Sequence, residues 1–224
     1  MKTNLFKLSL LLSLTLVGTN AIGQTGTVVS PAPPTPLESR SFDRGQLDGV
    51  NYNNNYFGLS LSIPKTWVVL SAQRSDTITE ESSKLVTGDK EKKEDIDASI
   101  QRSVVLLSLT KLPAGQPENV SFMLVAERIP LASIKTGADV IQVMRNAFAG
   151  TNFSLEFQGE TQTVRIGGAD FAVATFKNTS PNGTFMQKIY VTTKNGYAAE
   201  FFYTYQNDAD LAALNSILAT VKMK

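Results

Sequence analysis

The sequence predicts an α+β fold, an α-β-α sandwich built on a central, mainly antiparallel sheet. Three observations carry that prediction. Asn195-Gly196 separates two β-rich runs, 185–193 and 197–205, and Asn-Gly is the strongest short-range hairpin signal. Setting those two residues as the turn pairs Lys194 with Tyr197, Tyr190 with Phe201, Ile189 with Phe202 and Lys188 with Tyr203. One face of the hairpin then carries Phe185, Ile189, Val191, Ala198 and Phe202, and the other carries Met186, Tyr190, Phe201, Tyr203 and Tyr205. A sheet that is apolar on both faces needs cover on both sides. The other two observations are amphipathic helix signatures that supply it. One lies over 137–149, with Thr136 as cap and Asp139 three residues on, and Val140, Ile141, Met144 and Phe148 form its apolar stripe. The other starts at Asn207, with Leu211, Leu214, Leu218 and Val221 at 3-4-3 spacing. The C-terminal helix is assigned to one face and the 137–149 helix to the other, over the tyrosines.

The remaining elements follow in chain order. Lys2 and Lys7, the apolar run from Leu8 to Val17, and small residues Ala21 and Gly23 before Gln24 read as a cleavable signal peptide over 1–23. That apolar run is about ten residues, too short to span a bilayer that needs roughly 20. Residues 24–50 contain four prolines between Pro31 and Pro36 and read as a Pro-rich disordered linker. The domain is set at 51–224. Asn51 to Asn55 read as a polar, turn-prone lead-in, followed by a strand in which Phe57, Leu59, Leu61 and Ile63 alternate with Gly58, Ser60 and Ser62. Pro64 ends that strand, and Trp67 to Leu70 form a second short one. The charged stretch 73–101 reads as a solvated loop or helix face. Runs 103–109 and 120–126 are nearly continuous in apolar residues, as strands covered on both faces are. Gly167-Gly168 joins strands 161–166 and 170–176.

Composition narrows the chemistry. The chain has no cysteine and no histidine, so Ser-His-Asp and Cys-His machinery and thiolate or imidazole zinc sites are excluded. Without Lys2 and Lys7 the 21 basic and 20 acidic residues become 19 against 20, a net charge of −1. That balance offers no electrostatic basis for nucleic acid as partner. Any catalysis has to use carboxylates, lysine, tyrosine or serine, or a hard metal held by oxygens.

The candidate partner-binding surface is the set Lys188, Tyr190, Tyr203 and Tyr205 on one sheet face. The commoner fate of such a face is to be covered, here by the 137–149 helix. Glu200 shares a face with Ala198 and Phe202. Buried there it needs a partner or a raised pKa; more often such a residue lies near an edge and is solvated. Asp208 and Asp210 are explained by helix capping and the helix dipole. No catalytic, cofactor or metal-binding residue is assigned.

The opening run Asn55-Tyr56-Phe57-Gly58 to Ile63-Pro64 with Trp67, and the closing run Gly196-Tyr197 to Tyr203 with its following helix, resemble the PsbP-like superfamily, which includes bacterial PsbP and DcrB-type envelope proteins. Together they bracket about residues 51–222. Lys65-Thr66 stand where the family more usually has a glycine before the tryptophan. The resemblance implies a non-catalytic protein that binds or stabilises a larger assembly.

The expected function is therefore an exported, non-catalytic binding or assembly-stabilising module, secreted or periplasmic. Its partner is an envelope protein or a small ligand, and no cofactor is expected. The alternative is a carboxylate- or metal-dependent hydrolase. A concave site holding two carboxylates, or a carboxylate with lysine or tyrosine, within hydrogen-bonding reach would favour that alternative. A structural cell-surface protein would instead self-associate.

Overall fold

A computed structural model of the chain describes residues 42–113, 120–130, 133–149, 151–152, 154–180 and 183–224. The expected signal peptide and the expected linker up to residue 41 lie outside them. The first half contains β1 (Gln46–Asp48), β2 (Asn51–Asn54), β3 (Leu59–Ser62), β4 (Val68–Val69), α1 (Ala72–Lys84) and α2 (Lys90–Gln101). It continues with β5 (Ser103–Thr110), β6 (Ser121–Arg128) and α3 (Gly137–Phe148). The second half contains β7 (Ser154–Phe157), β8 (Gln162–Ile166), β9 (Ala169–Ser180), β10 (Gly183–Lys194), β11 (Tyr197–Tyr205), α4 (Asp208–Leu218) and β12 (Lys222–Met223).

The large sheet runs β4-β5-β6-β11-β10-β9-β7, with β8 also paired to β9, and every pairing in it is antiparallel. The β10–β11 hairpin has the expected register, including Tyr190 opposite Phe201 and Lys188 opposite Tyr203. Asn195 and Gly196 both adopt positive φ, at 54° and 80°, as a two-residue hairpin turn requires. Thr136 and Asp139 form the expected reciprocal capping box on α3. Asn207 caps α4 by accepting from the Asp210 N–H at 2.9 Å.

Helices flank both faces of the sheet, but with the two covers exchanged relative to expectation. Helix α3 packs Val140, Ile141, Met144 and Phe148 against Phe185, Ile189, Val191, Ala198 and Phe202. Helix α4 packs Leu214 and Ile217 on the tyrosine face. A short helix alone leaves that face partly open. A second, four-stranded sheet, β1-β2-β3-β12, completes the cover with Tyr52, Phe57, Leu59, Leu61 and Met223. Trp67 is buried in the same core.

This small sheet corrects two expectations. Residues 51–54 form strand β2, with Tyr52 and Asn54 buried, and the turn comes at the residues just before β3. Residues 42–50, expected as linker, belong to the fold. Phe42 packs its ring 5.1 Å from that of Tyr56 and 5.0 Å from that of Tyr197, and β1 pairs with β2. Tyr56 also donates its hydroxyl to the Asn195 carbonyl at 3.0 Å. The opening stretch thus clasps the tip of the last hairpin.

The stretch expected as a solvated loop or helix face forms α1 and α2, on the same side as α3. Their inner faces are mixed, with Ile78, Ile96 and Ile100 among small polar residues. Helix α1 buries Ser75, Ile78, Thr79 and Ser82, and α2 buries only Ile96 and Ser99. The Thr79 and Ser82 hydroxyls donate back to carbonyls of the preceding turn, so their buried polar atoms are satisfied within the helix. Six residues of α3 are buried by comparison, four of them large and apolar.

Candidate functional site

The most distinctive chemistry lies inside the protein, on the sheet face under α1–α3. Glu127 of β6 and Glu200 of β11 are both fully buried. Glu127 is opposite Ala198 and Glu200 is opposite Val125, so the two acids are diagonal neighbours on one face. Such neighbours are roughly 7–8 Å apart, or somewhat less between Cβ atoms. Glu127 accepts from the Ser99 hydroxyl at 2.7 Å and pairs with the Arg102 guanidinium at 3.4 Å. Glu200 has no hydrogen-bond partner on either oxygen among the described residues. Burial, and secondarily the charge on Glu127, holds the Glu200 carboxyl well above its ordinary value of 4.5. Glu200 therefore keeps its proton to higher pH than an exposed carboxyl does, and the second negative charge of the pair is the unfavourable one. The expectation of a solvated, near-edge Glu200 is corrected: β6 pairs along the other side of β11, which makes β11 an interior strand.

A second buried polar group lies towards the other end of the same face. Direct pairing places Thr110, Ser121, Thr204 and Gln187 in one row across β5, β6, β11 and β10, and Asn178 lies beside it on β9. All five are at most 1 % exposed. The Asn178 side-chain amide donates to Gln187 Oε1 at 3.0 Å, and Gln187 Nε2 donates to the Thr204 hydroxyl at 3.2 Å. Thr110 Oγ1 and Asn178 Oδ1 have no partner among the described residues. Sequence reading missed this row and Glu127. The signal is the placing of Thr110, Ser121 and Glu127 at the ends of nearly continuous apolar runs, where a polar residue reads as the edge of a strand and not as part of its buried face.

The expected partner surface is core. Tyr190, Tyr203 and Tyr205 are 4 %, 0 % and 8 % exposed, and they pack with Phe122, Phe201 and Leu214. Lys188 is half-buried, with its ammonium 5.5 Å from the centre of the Tyr190 ring. Four β-strands and a helix cover this face, where one helix was expected. Burial, and then the neighbouring Tyr205, pushes the Tyr190 phenol up to about 12. Burial raises the Tyr203 phenol as well, and its hydroxyl lacks a partner among the described residues. Tyr203→Phe is therefore expected to stabilise the protein by about 1 kcal/mol, because it removes a desolvated hydroxyl and leaves the ring packing intact. Urea denaturation of the two proteins checks this, and a loss of stability would mean the hydroxyl is bonded.

Among the described residues, two surface cavities bear on the site. A shallow one of about 340 Å³ lies between Ile129, Ile134, Lys135 and the Thr193–Gly196 turn. The other, about 130 Å³, is a groove where the open edges of the two sheets meet. Arg44, Leu47, Tyr52, Val69, Leu70 and residues 105–108 contribute to its walls. Strand β4 pairs with β5 only at Val68–Thr110 and Val69–Leu109, with one further bond from Leu70 N–H to the Ser108 carbonyl. Past that point the Arg44 guanidinium donates to the Val105 carbonyl at 3.3 Å, in place of a strand. Leu47, Val68 and Val69 stand exposed along these edges, at 45 %, 36 % and 40 %. Among the described residues no carboxylate lines either cavity, and neither cavity reaches the Glu127–Glu200 pair. Among the described residues no group of three or more potential ligands is placed to hold a metal ion, and no helix is long and apolar enough to cross a membrane.

These features define an α+β domain with a large antiparallel sheet between a helical layer and a mixed layer of helix and small sheet. No family model and no curated protein matches the chain. Among solved structures it is similar to cyanobacterial PsbP (CyanoP) from Synechocystis sp. PCC 6803, at 13 % identity and TM-score 0.49, over 80 % of this chain and 98 % of that one. It is similar to a protein of Bacteroides thetaiotaomicron VPI-5482, at 13 % identity and TM-score 0.41, over 80 % of this chain and 49 % of that one. It is also similar to LpqN of Mycobacterium tuberculosis, described as involved in cell envelope biogenesis. That match has 14 % identity and TM-score 0.40, over 74 % of this chain and 83 % of that one. The likeness is one of architecture, and no activity is carried over from it.

Proposed function

We infer that the protein is an exported, non-catalytic binding or assembly-stabilising module, and that it engages an extended segment of a partner protein at the groove between its two sheet edges. The groove is the observation that carries this reading. It combines the exposed apolar side chains of Leu47 and Val69 with a β5 edge that β4 leaves unpaired after Leu70. An added strand supplies both backbone bonds and alternating side chains to such an edge. A small molecule fits the groove less well, since its 130 Å³ falls below the roughly 300 Å³ at which ligand pockets begin. The signal-peptide pattern and the missing histidine and cysteine support export and a non-catalytic role. The hydrolase alternative finds its two carboxylates in this fold, but sealed in the core and reached by neither cavity.

Capture from the native envelope fraction tests the reading. Val69→Lys places a charge on an exposed edge position and is expected to change stability by no more than about 0.5 kcal/mol. A protein retained by the wild type and lost from Val69→Lys supports the groove as the interface. Equal capture by both would remove the groove from the account.

A further inference from the structure

The geometry points to residues 72–101, helices α1 and α2, as a cover that detaches from the sheet when the buried Glu127–Glu200 pair gains its second negative charge. This device is separate from the sheet-edge groove. Three observations place it. First, the cover brings less apolar surface to the sheet than α3 does. Ile78, Val86 and Ile96 are its buried aliphatic side chains, with Ile100 partly buried beside them, and the other buried positions of its helices are serine and threonine. Its loop is otherwise held by hydrogen bonds of Leu85 and Thr87 with Asn152. Helix α3, on the same face, is fixed by Val140, Ile141, Met144 and Phe148. Second, the end of α2 is tied to the acid pair itself: the Ser99 hydroxyl and the Arg102 guanidinium both bond Glu127 Oε1. Third, Glu200 beside it has both oxygens sealed from solvent and without a partner among the described residues.

Few charges face Glu200. Strand β6 presents Glu127, and the end of α2 presents Arg102, already engaged with Glu127. The buried residues of α1 carry no charge, nor do those of α3 that face the sheet. Strand β10 places Val191 opposite Glu200 and Ile189 next along that face. A second negative charge therefore meets its like and no new cation. Water supplies the missing solvation, and the least firmly attached element admits it first.

The sign follows from linkage. The closed form holds the Glu200 proton above the ordinary carboxyl value of 4.5, and the open form releases it there. Closure is thus complete at acid pH and is lost as pH rises towards the closed-form pKa, with the opening constant growing about tenfold per pH unit between the two.

Hydrogen exchange measured by mass spectrometry across a pH series, with the intrinsic exchange rate divided out, tests this. The expected result is a protection factor over 72–101 that falls about tenfold per pH unit, while peptides in α3 and β10 keep theirs. Glu200→Gln is expected to abolish the slope, and Glu200→Met serves the same comparison if the glutamine variant does not fold. A pH-independent cover in the wild type overturns the proposal. So does a parallel loss in α3, or an unchanged slope in the folded Glu200 variant.

Discussion

Glu200→Gln leaves the unfolding free energy unchanged at pH below the ordinary carboxyl value and raises it increasingly above that value, at about 1.4 kcal/mol per pH unit up to the folded-state pKa. The wild-type protein folds with Glu200 protonated, because its carboxyl is fully buried and lies beside Glu127. The unfolded chain gives that proton up once pH passes the ordinary value of 4.5. Above that value the folded form binds more protons than the unfolded one, so its stability falls as pH rises. The fall continues until pH reaches the folded-state pKa. Glutamine is neutral in both states and removes this dependence. Its size and polarity match the protonated acid, so at low pH the two proteins bury equivalent groups. Urea unfolding across the pH series reads the difference directly. Parallel curves for wild type and variant would show that Glu200 folds as the carboxylate.

Gly137→Ala destabilises the protein by about 3 kcal/mol, against the usual helix-propensity gain of about 1 kcal/mol for this exchange. Gly137 is the first residue of α3, buried against the sheet. A Cβ built there lies 2.1 Å from the Val191 carbonyl oxygen and 2.8 Å from its carbon. Both are backbone atoms of a strand paired on each side, so neither can move aside as a side chain would. The helix itself has to lift, and its start is the part that fixes α3 against Val191 and Ala172. Thermal unfolding of the variant checks this, and a midpoint at or above that of the wild type would show that α3 does not approach β10 so closely.

The parts of the fold that were legible in the sequence are those set by local rules. Asn195-Gly196 fixed the register of β10 and β11 because the turn type allows one pairing. Thr136, Asp139 and Asn207 marked helix starts because capping needs only neighbouring residues. Which helix covers which face was not legible, since an amphipathic stripe fits either side of a sheet that is apolar on both. The small sheet was missed for a related reason. Its closing contact pairs Leu59 with Met223, a pairing no local pattern announces. Asn51–Asn54 is polar enough to read as a turn, yet Tyr52 and Asn54 alternate inward once β3 lies alongside. The tyrosines drew attention as a surface through residue type alone, and their burial follows from that unannounced sheet. Glu200 was noticed at the right position, but its burial depended on β6 pairing beyond it, which the hairpin itself does not reveal.

Glu200 keeps its proton beside Glu127 in the core at a pH where an exposed carboxyl has lost it. The most direct measurement is a carbon NMR titration of the side-chain carboxyl of Glu200, assigned through Glu200→Gln. A resonance that stays at the protonated position well above the ordinary carboxyl value is the predicted result. One that shifts near the ordinary carboxyl value of 4.5 would contradict it.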